Sequence, residues 1–353
     1  TKYNTSETIG GKAAQLFIFH YSLNHLIILE LGGLSCKYWR MNFFKSAKVY
    51  AEMIKLAHTL FALPFALSAL CLAKLCGFDF GIWKIVWTVV AFAAARSAAM
   101  GFNRVADRDI DALNPRTMNR PTVTGKISVR DASVFTAISA AVFVGSAAMI
   151  NWLCFWLSFP ALAVLLGYSY AKRFTFGAHY ILGIALALAP IGAWIAAADS
   201  FDPRILPLGL ALLFNIAGFD LIYALQDIDF DKTHKLHSVP ARFGRRATLA
   251  IAACSFALSA VFLTSVGVVF KLNAVYAACV AVIACLYVFG VITIALFGGK
   301  KTQLVFFYES ISISGLIFVG IALILLVIVG VVAVNISKKA SRREDIARQL
   351  ELG

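Results

Sequence analysis

From position 56 onward the chain alternates apolar runs with short polar strips. Nine runs stand out, at about 56–76, 82–102, 131–150, 152–171, 178–198, 205–226, 248–270, 274–297 and 311–335. Each has roughly the 20 residues that a helix needs to cross a hydrocarbon core ~30 Å thick. The pattern therefore predicts an all-α polytopic membrane protein of nine helices, whose odd count puts the two ends on opposite sides. The strips are unequal. Those at 103–130 (Arg104, Arg108, Arg116, Arg120, Lys126, Arg130) and 227–247 (Lys232, Lys235, Arg242, Arg245, Arg246) are long and basic, whereas 76–81, Asn151, 199–204 and 271–273 are short and poor in Lys and Arg. The positive-inside rule makes the long strips cytoplasmic, together with Lys172-Arg173 and the 298–303 connection. The basic tail after the ninth run (Lys338, Lys339, Arg342, Arg343) disagrees with that count.

Composition sharpens this picture. Of 353 residues 61% are hydrophobic and 14% charged, against roughly 45–50% and 25% in a soluble domain, which excludes an ordinary soluble globule. Lys and Arg number 32 against 18 Asp and Glu, a net +14. In a membrane protein such an excess is read as loops facing anionic lipid and the cytoplasm, not as nucleic-acid binding. The seven cysteines have no CxxC or Cys/His spacing, so neither a disulfide framework nor a zinc site is indicated. Residues 1–40 contain no Met and mix a weakly apolar stretch, 15–34, with His20, Asn24, His25 and Glu30; Met41 follows. They read as an upstream extension without assigned function, or alternatively an interfacial segment, and lack the basic start and cleavage site of a signal peptide. Residues 338–353 read as a polar, basic tail.

The second run ends in Asn103-Arg104-Val105-Ala106-Asp107-Arg108-Asp109-Ile110-Asp111, so that Asn103, Asp107 and Asp111 recur every fourth residue on one helix face. The sixth run ends in Asp227-Ile228-Asp229-Phe230-Asp231, with Asp227 and Asp231 spaced alike. Asp107 and Asp227 lie 120 residues and four spans apart, which delivers both clusters to one membrane face and suggests two related four-helix halves plus a ninth helix. Carboxylates at i, i+4 repel one another, and at a helix C-terminus they face the negative end of its dipole. A cation belongs there. Hard oxygen ligands suit Mg²⁺, which commonly bridges carboxylates to substrate phosphates. The plain alternative for either cluster alone is a solvated loop paired with its own Arg and Lys; recurrence at matching ends argues against it for the pair. Asp109 and Asp229 fall off the shared faces.

These motifs, NxxxDxxxD and DxxxD, resemble those of the UbiA superfamily of intramembrane aromatic prenyltransferases, and the resemblance covers about 50–335 within a domain at 41–337. The segments Ile54-Lys55-Leu56-Ala57-His58-Thr59-Leu60-Phe61-Ala62-Leu63-Pro64, Asp111-Ala112-Leu113-Asn114-Pro115-Arg116 and His237-Ser238-Val239-Pro240-Ala241-Arg242-Phe243-Gly244 are similar to the bacterial 4-hydroxybenzoate branch. They also resemble relatives that prenylate a dihydroxynaphthoate on the way to menaquinone. The resemblance implies nine helices around a central cavity open sideways to membrane lipid, under a cytoplasmic cap, in a bacterial inner membrane. It further implies a Mg²⁺-bound polyprenyl diphosphate whose C–O bond breaks, and an allylic cation that alkylates a small aromatic acid. Asn103, Asp107, Asp111, Asp227 and Asp231 are then the metal ligands. Tyr168, Lys172 and Arg173 match the family's YxxxKR segment, with Lys172 on the diphosphate and the Tyr168 face stabilising the cation; otherwise this is a snorkelling anchor. Arg116, Arg120 and Arg242 belong to the cap and reach phosphate, or else are positive-inside charge. Lys55 and His58 line the entry of the aromatic acid. A secondary transporter with internal repeats is the competing class, but its acids belong mid-span, and these sit at span ends. A CDP-alcohol phosphotransferase would need an Asp-Gly-x-x-Ala-Arg lead that is missing.

Overall fold

The computed structural model describes residues 48–55, 62–297 and 312–323. The chain divides into two units, Thr1–Glu52 and Met53–Gly353, the second of which holds the apolar runs and both acid motifs. Its helices are α1 (Leu63–Leu75), α2 (Ile82–Ala106), α3 (Arg108–Leu113), α4 (Val129–Ile150), α5 (Trp152–Gly167), α6 (Ala171–Phe174), α7 (Ala178–Ala198), α8 (Leu206–Ala224), α9 (Ile228–Thr233), α10 (Val239–Val269), α11 (Ala274–Phe297) and α12 (Ser312–Leu323). No strand occurs among the described residues. Seven helical stretches there are long and apolar enough to cross a membrane, α5 counting with α6 and α8 with α9. The protein is a multi-pass, all-α membrane protein. Runs 56–76 and 311–335 extend outside the described residues, within which they hold the shorter apolar helices α1 and α12.

Helix starts follow local chemistry. The side chains of Ser128, Asn151 and Ser238 accept backbone N–H bonds from Asp131, Cys154 and Ala241, capping α4, α5 and α10. Within α10, Gly244 takes φ 76° and ψ 176°, which only glycine adopts without strain, and breaks the helix inside the second basic strip, between Arg242 and Arg245. The core lies along α8, which packs on α7 and α10, while α1 packs on α7 and α2 on α4. In the α8–α9 span 61% of the apolar window is buried, against 11% for Trp152–Phe174, so α8 is interior and α5 faces lipid. Close approach needs glycine here: a Cβ on Gly183 would sit 2.5 Å from the Leu213 carbonyl oxygen. Large apolar side chains such as Trp83, Phe289 and Leu296 are exposed, as a hydrocarbon solvent requires.

Candidate active site

Each acid motif interrupts its helix at an aspartate. Asp107 (φ −98°, ψ 5°) closes α2 and opens α3, and Asp227 (φ −107°, ψ 11°) ends a 3₁₀ turn and opens α9. The single helix expected over 103–111 is therefore two. Its four-residue spacing survives, because Asp107 N–H still bonds the Asn103 carbonyl (3.0 Å) and Asp111 N–H the Asp107 carbonyl (2.8 Å). Asn103, Asp107, Asp111, Asp227 and Asp231 consequently line one polar cavity of about 270 Å³, together with Lys55, Arg116, Arg120, Tyr168, Lys172 and Arg173.

The cation that the electrostatics demand is in large part supplied by guanidinium groups. Arg116 donates to both carboxylate oxygens of Asp227 (2.9 and 2.5 Å) and to Tyr223 Oη (2.8 Å). Asn114 adds a bond to Asp227 (3.1 Å), so the first basic strip reaches across to the second motif. Arg120 pairs with Asp111. Arg173 bonds the Ala106 carbonyl (2.5 Å) and lies 3.4 Å from Asp107. Asn103 donates to Asp107 (2.8 Å) and accepts from the buried Arg104 (3.0 Å). Burial raises the Asp107 carboxyl above the usual carboxylate range, the Asp111 charge adds to this, and Arg173 opposes it. Lys55 has its pKa lowered to about 8, by burial first and then by Arg104, Arg120 and Arg116, with Asp111 pulling the other way. Lys172 lines the cavity within electrostatic reach of Asp107, Asp220, Asp227 and Asp231.

The donor set fits a divalent cation: carboxylate and amide oxygens, with one Asp231 oxygen buried and unpartnered among the described residues. No three His, Cys, Asp or Glu of the described residues converge closely enough to hold an ion alone. Coordination would be completed by substrate oxygens and water, which Mg²⁺ prefers.

A second cavity, about 590 Å³ and almost wholly apolar, opens between α2, α4, α5 and α7, and shares Arg96, Tyr168 and Leu186 with the polar one. Of the other residues expected at the site, Arg242 is exposed, stacks on Phe176 (4.2 Å) and Phe243 (5.4 Å), and does not line the cavity. That stacking holds its guanidinium against rings at the membrane surface. His58 lies outside the described residues. Asp109 and Asp229 are exposed.

Arg96, Asn114, Asp220 and Tyr223 line the polar cavity yet escaped the sequence reading. A signal existed for two of them. Arg96 precedes Asn103, and Asp220 precedes Asp227, by seven residues or two helical turns, each a charge deep within an apolar run.

The helical membrane fold thus gathers two aspartate motifs in a polar cavity that adjoins an apolar chamber. The chain matches the UbiA prenyltransferase family over residues 62–311, and it belongs to that family. It is 33% identical over 178 residues to a 4-hydroxybenzoate octaprenyltransferase of Serratia proteamaculans (strain 568), a match covering 49% of this chain and 60% of the relative's length. Its fold is similar to the apo structure of a UbiA homologue from Aeropyrum pernix K1 (32% identity, TM-score 0.69, 75% of this chain and 97% of that one). At 23% identity, a UbiA homologue from Archaeoglobus fulgidus bound to GPP and Mg²⁺ shares the fold (TM-score 0.59, 78% of this chain and 99% of that one).

Proposed function

We propose that the chain is a Mg²⁺-dependent polyprenyltransferase that moves a polyprenyl group from its diphosphate to a ring carbon of a small aromatic acid, 4-hydroxybenzoate first, in quinone biosynthesis. The junction of the two cavities carries this reading. The polar cavity suits a diphosphate, the apolar one a hydrocarbon chain, and the reacting carbon falls where they meet, at Tyr168. The names of the Serratia relative and of the ligands in the Archaeoglobus homologue point the same way.

Asn103, Asp107, Asp111, Asp227 and Asp231 would hold Mg²⁺, which supplies charge to neutralise the departing diphosphate. Lys172, with Arg116, Arg120 and Arg173, adds fixed positive charge at the same leaving group. The Tyr168 ring borders the allylic carbon and attracts developing positive charge with its face. Phe92, Leu157, Val164 and Leu188 wall the chain's chamber and keep water from the carbocation. Lys55, 5.9 Å from the Tyr223 ring centroid, would pair with the acceptor's carboxylate. The positive-inside rule, applied to the long basic strips, supports a cytoplasmic face for the polar cavity, in a bacterial plasma membrane.

The reading is tested by giving membranes that contain the full chain a polyprenyl diphosphate with 4-hydroxybenzoate and a dihydroxynaphthoate, followed by mass spectrometry of the extracted lipid. Prenylated hydroxybenzoate that disappears on EDTA treatment is expected. No prenylated aromatic product, or undiminished product in metal-free membranes, overturns it.

A further inference from the structure

The two long basic strips use their charge differently. In the first, Arg104 is buried, and Arg116 and Arg120 turn inward onto Asp227 and Asp111. The second holds Lys232, Lys235, Arg242, Arg245 and Arg246, and all five are exposed. Among the described residues none of the five forms an ion pair. Membrane topology asks only that such a strip be basic. It does not ask that the cations be fixed in place.

Two of them are fixed. The Arg242 guanidinium lies on the rings of Phe176 (4.2 Å) and Phe243 (5.4 Å), which hold it by its face and leave its N–H edge free for an acceptor. Arg245 donates to the Ile294 carbonyl at 2.6 Å and so ties the start of α10 to the end of α11. Between them the Gly244 break bends the backbone, and Arg246 follows on the next turn. Exposed apolar side chains accompany these cations: Phe243 itself (51% exposed), Phe174 two residues before Phe176, and Leu296 two residues after Ile294. Immobilised cations beside exposed apolar groups at span ends match a phosphate with acyl chains beneath it. A free phosphate would leave the apolar groups without a partner.

We infer that the start of α10, with the ends of α6 and α11, is a binding site for an anionic phospholipid. Its phosphate lies against Arg242 and Arg246, and its acyl chains run along Phe243 and Leu296. The inference does not depend on the prenyl-transfer reading, since none of these residues lines the polar cavity. The site nevertheless adjoins that cavity along the backbone. The Leu236 N–H bonds the Asp231 carbonyl and the His237 N–H bonds the Lys172 carbonyl, both at 2.9 Å. A headgroup held at Arg242 thus steadies the segment that carries these two bonds.

The test titrates the full chain in detergent with phosphatidylglycerol or phosphatidylcholine of matched acyl chains and follows bound lipid by native mass spectrometry. Salt is held at ~0.15 M, where exposed charges more than about 8 Å apart are largely screened. Wild type should bind phosphatidylglycerol more tightly than phosphatidylcholine. Arg242→Gln combined with Arg246→Gln should weaken phosphatidylglycerol binding about twentyfold, the scale of two cations at a lipid surface. Lys126→Gln combined with Arg130→Gln removes the same charge from exposed positions of the first strip and should stay within about twofold of wild type. Glycerol phosphate, a headgroup without chains, should not displace the lipid at equal concentration. Equal losses in the two double variants overturn the inference, because diffuse surface charge then accounts for the binding. Wild type that binds both lipids alike overturns it too, as does displacement by glycerol phosphate, which marks a site for soluble phosphate. If the Arg242 and Arg246 double variant is not monodisperse, Arg246→Gln alone decides, with a loss of about fivefold expected and wild-type binding overturning the site.

Discussion

Arg116 occupies the place where a metal-bound diphosphate would meet Asp227, so the guanidinium and the metal should compete for one carboxylate. The side chains of Arg116 and Asp227 are 23% and 6% exposed. Removing one partner of a buried pair costs roughly 3–5 kcal/mol, because the other charge is left behind. Partial exposure of Arg116 and the bond that Asn114 keeps on Asp227 reduce this to about 2 kcal/mol. Arg116→Gln should therefore lower the unfolding temperature of the metal-free protein by about 5 °C, at the few degrees per kcal/mol typical of a chain this size. Mg²⁺ with inorganic diphosphate then acts in the opposite direction, since a ligand at 100 times its Kd stabilises by about 2.7 kcal/mol. In wild type part of that gain is spent displacing Arg116; in the variant it is not. The Mg²⁺-induced rise in unfolding temperature should thus be larger for Arg116→Gln than for wild type, although its turnover falls through loss of charge at the leaving group. Scanning fluorimetry of detergent-solubilised protein, with and without Mg²⁺ and diphosphate, measures both quantities. A variant as stable as wild type without metal, or equal Mg²⁺-induced shifts in the two proteins, would refute the competition.

Asp107→Ala and Asp227→Ala should each remove most of the turnover, and the double variant should be little worse, because ligands of one metal cluster act as a unit. Asp109→Ala, at an exposed position, should cost much less, and initial rates at equal inserted protein check all four. The Lys55 ammonium, with its pKa lowered to about 8, is mostly charged at pH 7 and mostly neutral at pH 9, so the KM for 4-hydroxybenzoate should rise over that interval and Lys55→Gln should flatten the rise. Folding runs the other way. The unfolded lysine keeps its proton up to about 10.5, so between pH 8 and 10.5 the unfolded chain binds more protons and this residue's contribution to stability grows with pH, which denaturant titration in detergent can follow. Gly183→Ala puts a Cβ 2.5 Å from a backbone carbonyl of α8, which cannot yield as a side-chain tip can. It should destabilise by about 1–3 kcal/mol, read from the same melts.

The parts of the molecule that were legible in the sequence are those set by the solvent. Apolar runs of span length must be helices in lipid, because no water is present to take unpaired backbone groups, and the long described runs are helices. The four-residue spacing of Asn103, Asp107 and Asp111 was legible for a local reason and survives the break at Asp107. The break itself was not, since a change in ψ at one aspartate leaves no trace in periodicity. Nor was the partner of each acid. The Arg116–Asp227 pair spans 111 residues, and the first basic strip contains five other cations of the same apparent standing. Arg242 shows the converse: its neighbourhood in sequence matches the family's segment, yet its guanidinium lies on Phe176, because an aromatic face one loop away competes for the charge. Asp220 differs from all of these. A lone acid deep in an apolar run, two turns from a motif on the same face, costs several kcal/mol if it serves nothing. In a membrane helix, then, the inward continuation of each motif face carries chemical information, and Arg96 and Asp220 are where α2 and α8 place it.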